Sequence, residues 1–105
     1  KHGPIALIEE GTPVIAVAPS DETLPLMEAS IRECKARGAK VIMITDTEGP
    51  ITNFADVTIN SQFPGRETSP ILNAIPLQLL AYRLAVEKGR NVDRPRNLAK
   101  SVTVI

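Results

Sequence analysis

Cysteine and histidine occur once each in the 105 residues, tryptophan is absent, and the only aromatic side chains are Phe54, Phe63 and Tyr82. A lone Cys34 excludes an internal disulfide framework, and one cysteine with one histidine cannot make a structural zinc site. With so few rings, the core must be built from Ile, Leu, Val and Ala. Net charge is also missing, since twelve basic residues balance twelve acidic ones. No global field would draw in nucleic acid or an anionic membrane, so neither is expected as a partner. No apolar run approaches the roughly 20 residues of a bilayer span. There is no Gly-rich phosphate loop and no Ser-His-Asp series. Residue 1 is Lys, with no initiator Met and no signal or transit pattern. The chain therefore reads as a C-terminal piece of something longer, in a reducing, cytoplasmic setting. Its length fits one domain at most, and a mean hydropathy of +0.01 fits a soluble, globular chain.

What is present is a run of short apolar segments separated by helix-like ones. Gly3-Pro4 suits a helix start and Gly11 a stop, giving a short first helix. Val14–Ala18 is continuously apolar, too short for a helix and ended by Pro19-Ser20-Asp21. It reads as a strand buried on both faces. A helix then begins between Asp21 and Leu24, with Thr23 as its cap. Its apolar stripe is Leu24, Met27, Ile31 and Cys34, and Gly38 closes it. On that stripe Cys34 reads as a buried, inert small hydrophobe. Val41–Thr45 is a second buried strand, so the unit is βαβ and parallel. Residues 46–50 form a loop, and 57–60 a shorter third strand. Ser61–Thr68 is polar, with a Pro64-Gly65 turn. Ser69 then reads as an N-cap and Pro70 as the first residue of a helix running to Lys88. That helix is apolar on nearly all sides and so should be buried, within its own domain or against a partner. Pro76 should kink it and Gly89 end it. The fold class is α/β, a parallel sheet of about three strands. Such sheets usually carry about five or more, so at least two strands are expected elsewhere.

Three side chains could carry chemistry. His2 is the only imidazole, hence the only group whose ordinary pKa suits proton transfer at neutral pH; a solvated terminal residue is the plainer reading. Lys100 lies in a tail with no helical or alternating period, after a restricted Arg94-Pro95 step. Most lysines there are solvated charges, but a desolvated amine could form a Schiff base with a carbonyl. Asp46 stands at the end of the second strand, where ligands gather in open α/β sheets; it is equally a turn former, and that reading is preferred.

Four collinear stretches carry a resemblance. Lys1-His2-Gly3-Pro4-Ile5-Ala6-Leu7-Ile8, the helix segment Ile75-Pro76-Leu77-Gln78-Leu79-Leu80-Ala81-Tyr82, the Gly89–Asp93 stretch and the terminal string Pro95-Arg96-Asn97-Leu98-Ala99-Lys100-Ser101-Val102-Thr103-Val104 are similar to segments of the glutamine–fructose-6-phosphate aminotransferase (isomerizing) family. The likeness spans essentially the whole chain. It implies a three-layer, flavodoxin-like sugar-isomerase (SIS) fold, with residues 1–90 the later part of the second SIS domain and 91–105 an active-site tail.

It also implies a function: making glucosamine 6-phosphate from fructose 6-phosphate and glutamine-derived ammonia. His2 would open the sugar ring in the neighbouring subunit, which implies a homodimer. Lys100 would form an imine with the open ketose, and the Ala99 backbone would lie against the sugar. No cofactor or metal is implied. The glutaminase domain and first SIS domain would be partners within the parent. The family's proton-shuttling glutamate, phosphate loop and glutaminase cysteine do not fall in this stretch, and Cys34 does not match that cysteine. The isolated chain should therefore be inactive. The ending departs from the family pattern, with Ile105 where an acidic residue is common. Two rivals stand beside this reading, a stand-alone SIS module that binds a phosphosugar for regulation and a purely structural dimerisation piece.

Overall fold

Three apolar segments form one parallel sheet in the computed structural model, which describes residues 3–98. Strands β1 (Pro13–Val17), β2 (Lys40–Thr45) and β3 (Val57–Asn60) lie in the order β1-β2-β3. Helix α1 (Leu24–Lys35) links β1 to β2, and helix α2 (Ser69–Glu87) follows β3. The parallel three-stranded α/β arrangement agrees with the sequence reading. The first helix shortens to a four-residue 3-10 turn, Pro4–Leu7, and a second 3-10 turn, Pro50–Phe54, fills the segment before β3. Ala99, Lys100 and His2 lie outside the described residues.

The two faces of the sheet are covered differently. Side chains alternate along each strand, so Val14, Ala16, Val41 and Met43 share one face. Against it packs α1 through its stripe, with Ile31 only 2% exposed and Leu24, Met27 and Cys34 half-buried. Ile51 of the second 3-10 turn joins this core, and Phe54 of the same turn lies 4.8 Å beneath the Arg32 guanidinium of α1. The opposite face carries Ile15, Val17, Ile42, Ile44, Val57 and Ile59. Only its carboxyl end is closed, where Ile44 is fully buried; Ile15 is 45% and Val57 53% exposed. β1 is therefore not buried on both faces, as its apolar run suggests. A continuous apolar run marks burial in a finished sheet, and among the described residues nothing closes this end of the second face.

Two further expectations need correcting. Helix α2 starts one residue early: Thr68 takes the cap position and Ser69 is helical, because the Ser69 hydroxyl is engaged with the Asn73 amide rather than with the helix end. The buried-helix reading also does not hold within these residues. Ser69 and Asn73 are the buried positions of α2, while Ile71, Ile75, Leu79, Tyr82 and Val86 are about half exposed or more. The helix stays continuous through Pro76. Thr23 does cap α1, though through its carbonyl, which accepts from the Leu26 and Met27 amides; its hydroxyl donates to Asp21 instead.

One glycine is dictated by geometry. Gly38, just past α1, sits at φ +86°, and its carbonyl accepts from the Gly11 amide at 2.8 Å. A Cβ there would meet the Glu10 Cα at 2.8 Å. Glycine alone suits both the left-handed backbone and the close approach.

Candidate functional site at the carboxyl edge of the sheet

The carboxyl ends of parallel strands point backbone and loop groups into a common space, where ligands of open α/β sheets bind. In this chain β1 delivers Ser20 and Asp21, β2 delivers Thr45 and Asp46, and β3 delivers Ser61 to that edge. The sequence reading singled out only Asp46. The signal for the others is simple: they are the first polar residues after each apolar run.

Asp46 turns out to tie two strand ends together. Its Oδ1 accepts from the Ser20 amide at 2.8 Å and its Oδ2 from the Ser20 hydroxyl at 2.5 Å. Burial pushes the Asp46 carboxyl upward and is the largest single influence, but the hydrogen bonds from the Ser20 hydroxyl and amide and from Asp46's own backbone pull it down, and the net direction is down. The turn-forming reading of Asp46 is thus too narrow, since its contact bridges 26 residues of sequence.

Directly beneath, the Thr45 hydroxyl donates to the Ala18 carbonyl at 2.5 Å and accepts from the Thr47 amide at 3.2 Å. Thr45 and Ala18 are both essentially inaccessible. On the other side, Asn73 gathers the start of α2. Its amide donates to the Ser69 carbonyl and hydroxyl at 2.9 and 2.8 Å, and its Oδ1 accepts from the Ser61 hydroxyl at 2.7 Å. Among the described residues no buried side-chain polar atom lacks a partner.

The loops above are held by charge. Asp21 accepts from the Thr23 hydroxyl at 2.5 Å and the Thr23 amide at 2.8 Å, and these bonds, the hydroxyl's first, lower its pKa. Next to it Glu22 pairs with Arg66 of the 61–68 loop at 2.5 Å. Arg66 also lines a shallow cleft with Val17, Pro19, Phe63, Ser69 and Asn73. A second groove lies at the far end of α2, between Tyr82 and Ala85 and the segment bearing Arg90, Arg94 and Arg96.

The chemistry available at this edge is binding and positioning. Asp21 and Asp46 are held ionised, and an ionised carboxylate has no proton to give at neutral pH. Cys34 is remote from this edge, half-buried against the α1 core. No group of three or more His, Cys, Asp or Glu among the described residues is arranged to hold a metal ion. Of the sites read from sequence, only Asp46 falls here; His2, Ala99 and Lys100 are outside the described residues.

Comparison with known proteins agrees with this fold. The family model described as "SIS domain" matches residues 1–88. The glutamine–fructose-6-phosphate aminotransferase [isomerizing] of Bradyrhizobium diazoefficiens is 49% identical over 99% of this chain, and that of Pyrococcus horikoshii is 51% identical over 99%. The chain spans 17% of the length of each of these relatives. A solved structure, the C-terminal domain of glucosamine-fructose-6-phosphate aminotransferase from Francisella tularensis, superposes with a TM-score of 0.74 at 34% identity, covering 89% of this chain and 27% of that one.

Proposed function

The chain belongs to the SIS domain family, and from that premise we propose that it is part of the isomerase half of an enzyme that converts fructose 6-phosphate and glutamine-derived ammonia to glucosamine 6-phosphate. The single observation that carries this reading is the 49–51% identity, over 99% of the chain, to proteins named for that reaction. A likeness of fold alone would support only sugar-phosphate binding.

The reaction asks for two kinds of group. The cyclic ketose must be opened by proton transfer, and a neutral amine must then add to the free carbonyl. His2 suits the first because an imidazole titrates near neutrality. Lys100 suits the second if its amine is held out of bulk water, since desolvation favours the neutral form. The amine attacks the ketose carbonyl and water leaves as the imine forms. Ammonia then displaces the lysine to give a sugar imine, which isomerises to the amino sugar. Residues 91–105 act as the active-site tail, and the Ala99 backbone lies against the sugar. His2 serves the neighbouring subunit, so the parent is a homodimer. The glutaminase domain and first SIS domain complete it in the cytoplasm, and the 105-residue chain alone is inactive.

The described residues support this division of labour in one respect. At the carboxyl edge Asp21 and Asp46 are held ionised by Thr23 and Ser20, so neither has a proton to donate at neutral pH.

Borohydride trapping tests the assignment. The parent enzyme, incubated with fructose 6-phosphate and reduced, should carry a stable secondary-amine adduct on the peptide containing Lys100, and Lys100→Arg should abolish both adduct and synthesis while the fold survives. An adduct on another lysine, or full synthesis by Lys100→Arg, overturns the reading.

A further inference from the structure

The chain carries as many acidic as basic residues, yet three of its arginines line one groove that has no acid in its wall. Arg90, Arg94 and Arg96 line it together with Tyr82, Ala85 and Val92. At about 1.5 Å per residue, Ala85 lies about 18 Å along the axis of α2 from Asn73 and the carboxyl edge of the sheet. Backbone geometry sets the shape of the groove. Helix α2 ends at a left-handed Gly89, φ +62°, with the Arg90 amide donating to the Ala85 carbonyl at 2.8 Å and the Gly89 amide to the Val86 carbonyl at 2.9 Å. This pair of bonds turns the chain back across the last turn of the helix. Asn91 fixes the next turn, its Oδ1 accepting from the Asp93 and Arg94 amides at 3.0 and 2.9 Å, and Pro95 disfavours helical backbone at Arg94. None of the three guanidinium groups has an ion-pair or hydrogen-bond partner among the described residues.

We propose that this groove is a binding site for a small organic phosphate, with the arginines holding the phosphate and the Tyr82 side supporting the carbon skeleton. Three cations around one cleft repel one another, and a dianion among them removes that repulsion. Guanidinium suits the task because its planar fork offers paired donors to phosphate oxygens. The dipole of α2 favours a cation near its carboxyl end, but that effect fades within the last turn. It therefore accounts for Arg90 and not for Arg94 or Arg96. Glu87 and Asp93, the nearest acids in sequence, do not line the groove. Tyr82 is 49% exposed, and with Ala85 and Val92 it gives the groove an apolar wall. The volume, about 720 Å³, falls within the roughly 300–1,000 Å³ of small-molecule sites. An acidic peptide is the poorer occupant, because the three charges are gathered at one cleft rather than spaced along a surface. The proposal goes beyond the aminotransferase reading and does not depend on it.

Arginine-specific labelling with phenylglyoxal, read by peptide mapping of the full-length parent, tests the site with phenyl phosphate as the ligand. Arg37 and Arg83, exposed and outside the groove, are the references. Without ligand, Arg90, Arg94 and Arg96 should label. At a phenyl phosphate concentration about nine times its Kd, their labelling should slow by about tenfold, the factor 1 + [L]/Kd for a blocked site, while the references keep their rates. Inorganic phosphate should protect the same three arginines more weakly, and Tyr82→Ala should reduce phenyl phosphate to the inorganic level. Arg94→Gln should raise the Kd read from protection of Arg90 by at least about tenfold, and Arg83→Gln should leave it unchanged. Failure of phenyl phosphate to protect the three, or their failure to label even without ligand, would overturn the proposal. So would equal protection of Arg37 and Arg83, which marks non-specific ion binding, or equal protection by benzoate, which removes the preference for phosphate. Protection without imine trapping at Lys100 would leave this site standing and remove the catalytic assignment; trapping without protection would do the reverse.

Discussion

Replacing Thr45 by valine removes a single hydroxyl from the point where the end of β2 meets the chain leaving β1, with almost no change of shape. That hydroxyl donates to the Ala18 carbonyl at 2.5 Å and accepts from the Thr47 amide at 3.2 Å, and the Thr45 and Ala18 residues are 1% and 0% exposed. Water cannot substitute without opening the structure, so the Ala18 carbonyl loses its side-chain partner and the Thr47 amide its acceptor. A buried polar group left unmatched costs about 1–3 kcal/mol, and Thr45→Val should destabilise the chain by that amount. Thr45→Ser is the counterpart, since it keeps both hydrogen bonds and loses one buried methyl, at about 0.8 kcal/mol. Urea unfolding with an unchanged m-value gives the two stabilities. Amide hydrogen exchange at Thr47 separates the causes: protection should fall in the valine variant and persist in the serine variant. Valine matching the wild type in stability, with Thr47 exchange unaltered, would refute the claim that this hydroxyl joins the two strand ends.

Other expected outcomes follow from the same packing. Ile31→Ala empties the one fully buried position of α1 and should cost about 2–5 kcal/mol in urea unfolding, whereas Leu26→Ala on the same helix, at 72% exposure, should stay within about 0.5 kcal/mol. Asp56 is held below its ordinary 3.8 first by the Lys35 ammonium at 2.8 Å and then by the Val41 amide at 2.7 Å. Because its folded-state pKa is depressed, its contribution is fully present above about pH 3.8 and is lost as the pH falls through the lowered value. Asp56→Asn should therefore flatten the acid side of a thermal-stability profile, and an unchanged acid slope would show that the carboxylate does not couple to folding.

The strands were legible because a run such as Val41-Ile42-Met43-Ile44 has only one economical use, as a strand in the middle of a sheet. The α1 stripe was equally legible, since Leu24, Met27, Ile31 and Cys34 recur at helical spacing and all meet the core. What the pattern could not convey was which apolar surfaces are finished within these residues. Ile15 and Ile44 look alike in sequence, yet one is 45% exposed and the other fully buried. The difference lies in what packs above them, and local periodicity carries no record of that. The same limit governed α2, whose all-round apolar character describes a buried helix while its outer side stands open. Hydrogen-bond partners remote in sequence were hidden for a related reason. Asp46 with Ser20, and Asn73 with Ser61, become neighbours only when three strand ends are brought to one edge.

The contacts at that edge are compatible with the proposal that the chemistry falls to the ends of the chain. Ser20 is committed to Asp46, Thr23 to Asp21, Ser61 to Asn73 and Thr45 to Ala18. A hydroxyl already donating to a carboxylate or carbonyl is a poor partner for a new substrate oxygen unless that bond is first given up. A carboxylate held below its ordinary pKa is a weaker base than a free one, and at neutral pH it carries no proton to donate. The described residues therefore hold two strand ends and the start of α2 in fixed register and contribute rigidity to the site. Ring opening is served best by a group that titrates near neutrality, and imine formation needs an amine that can be neutral. The carboxylates and hydroxyls at this edge meet neither requirement, and His2 and Lys100 have the functional groups to do so.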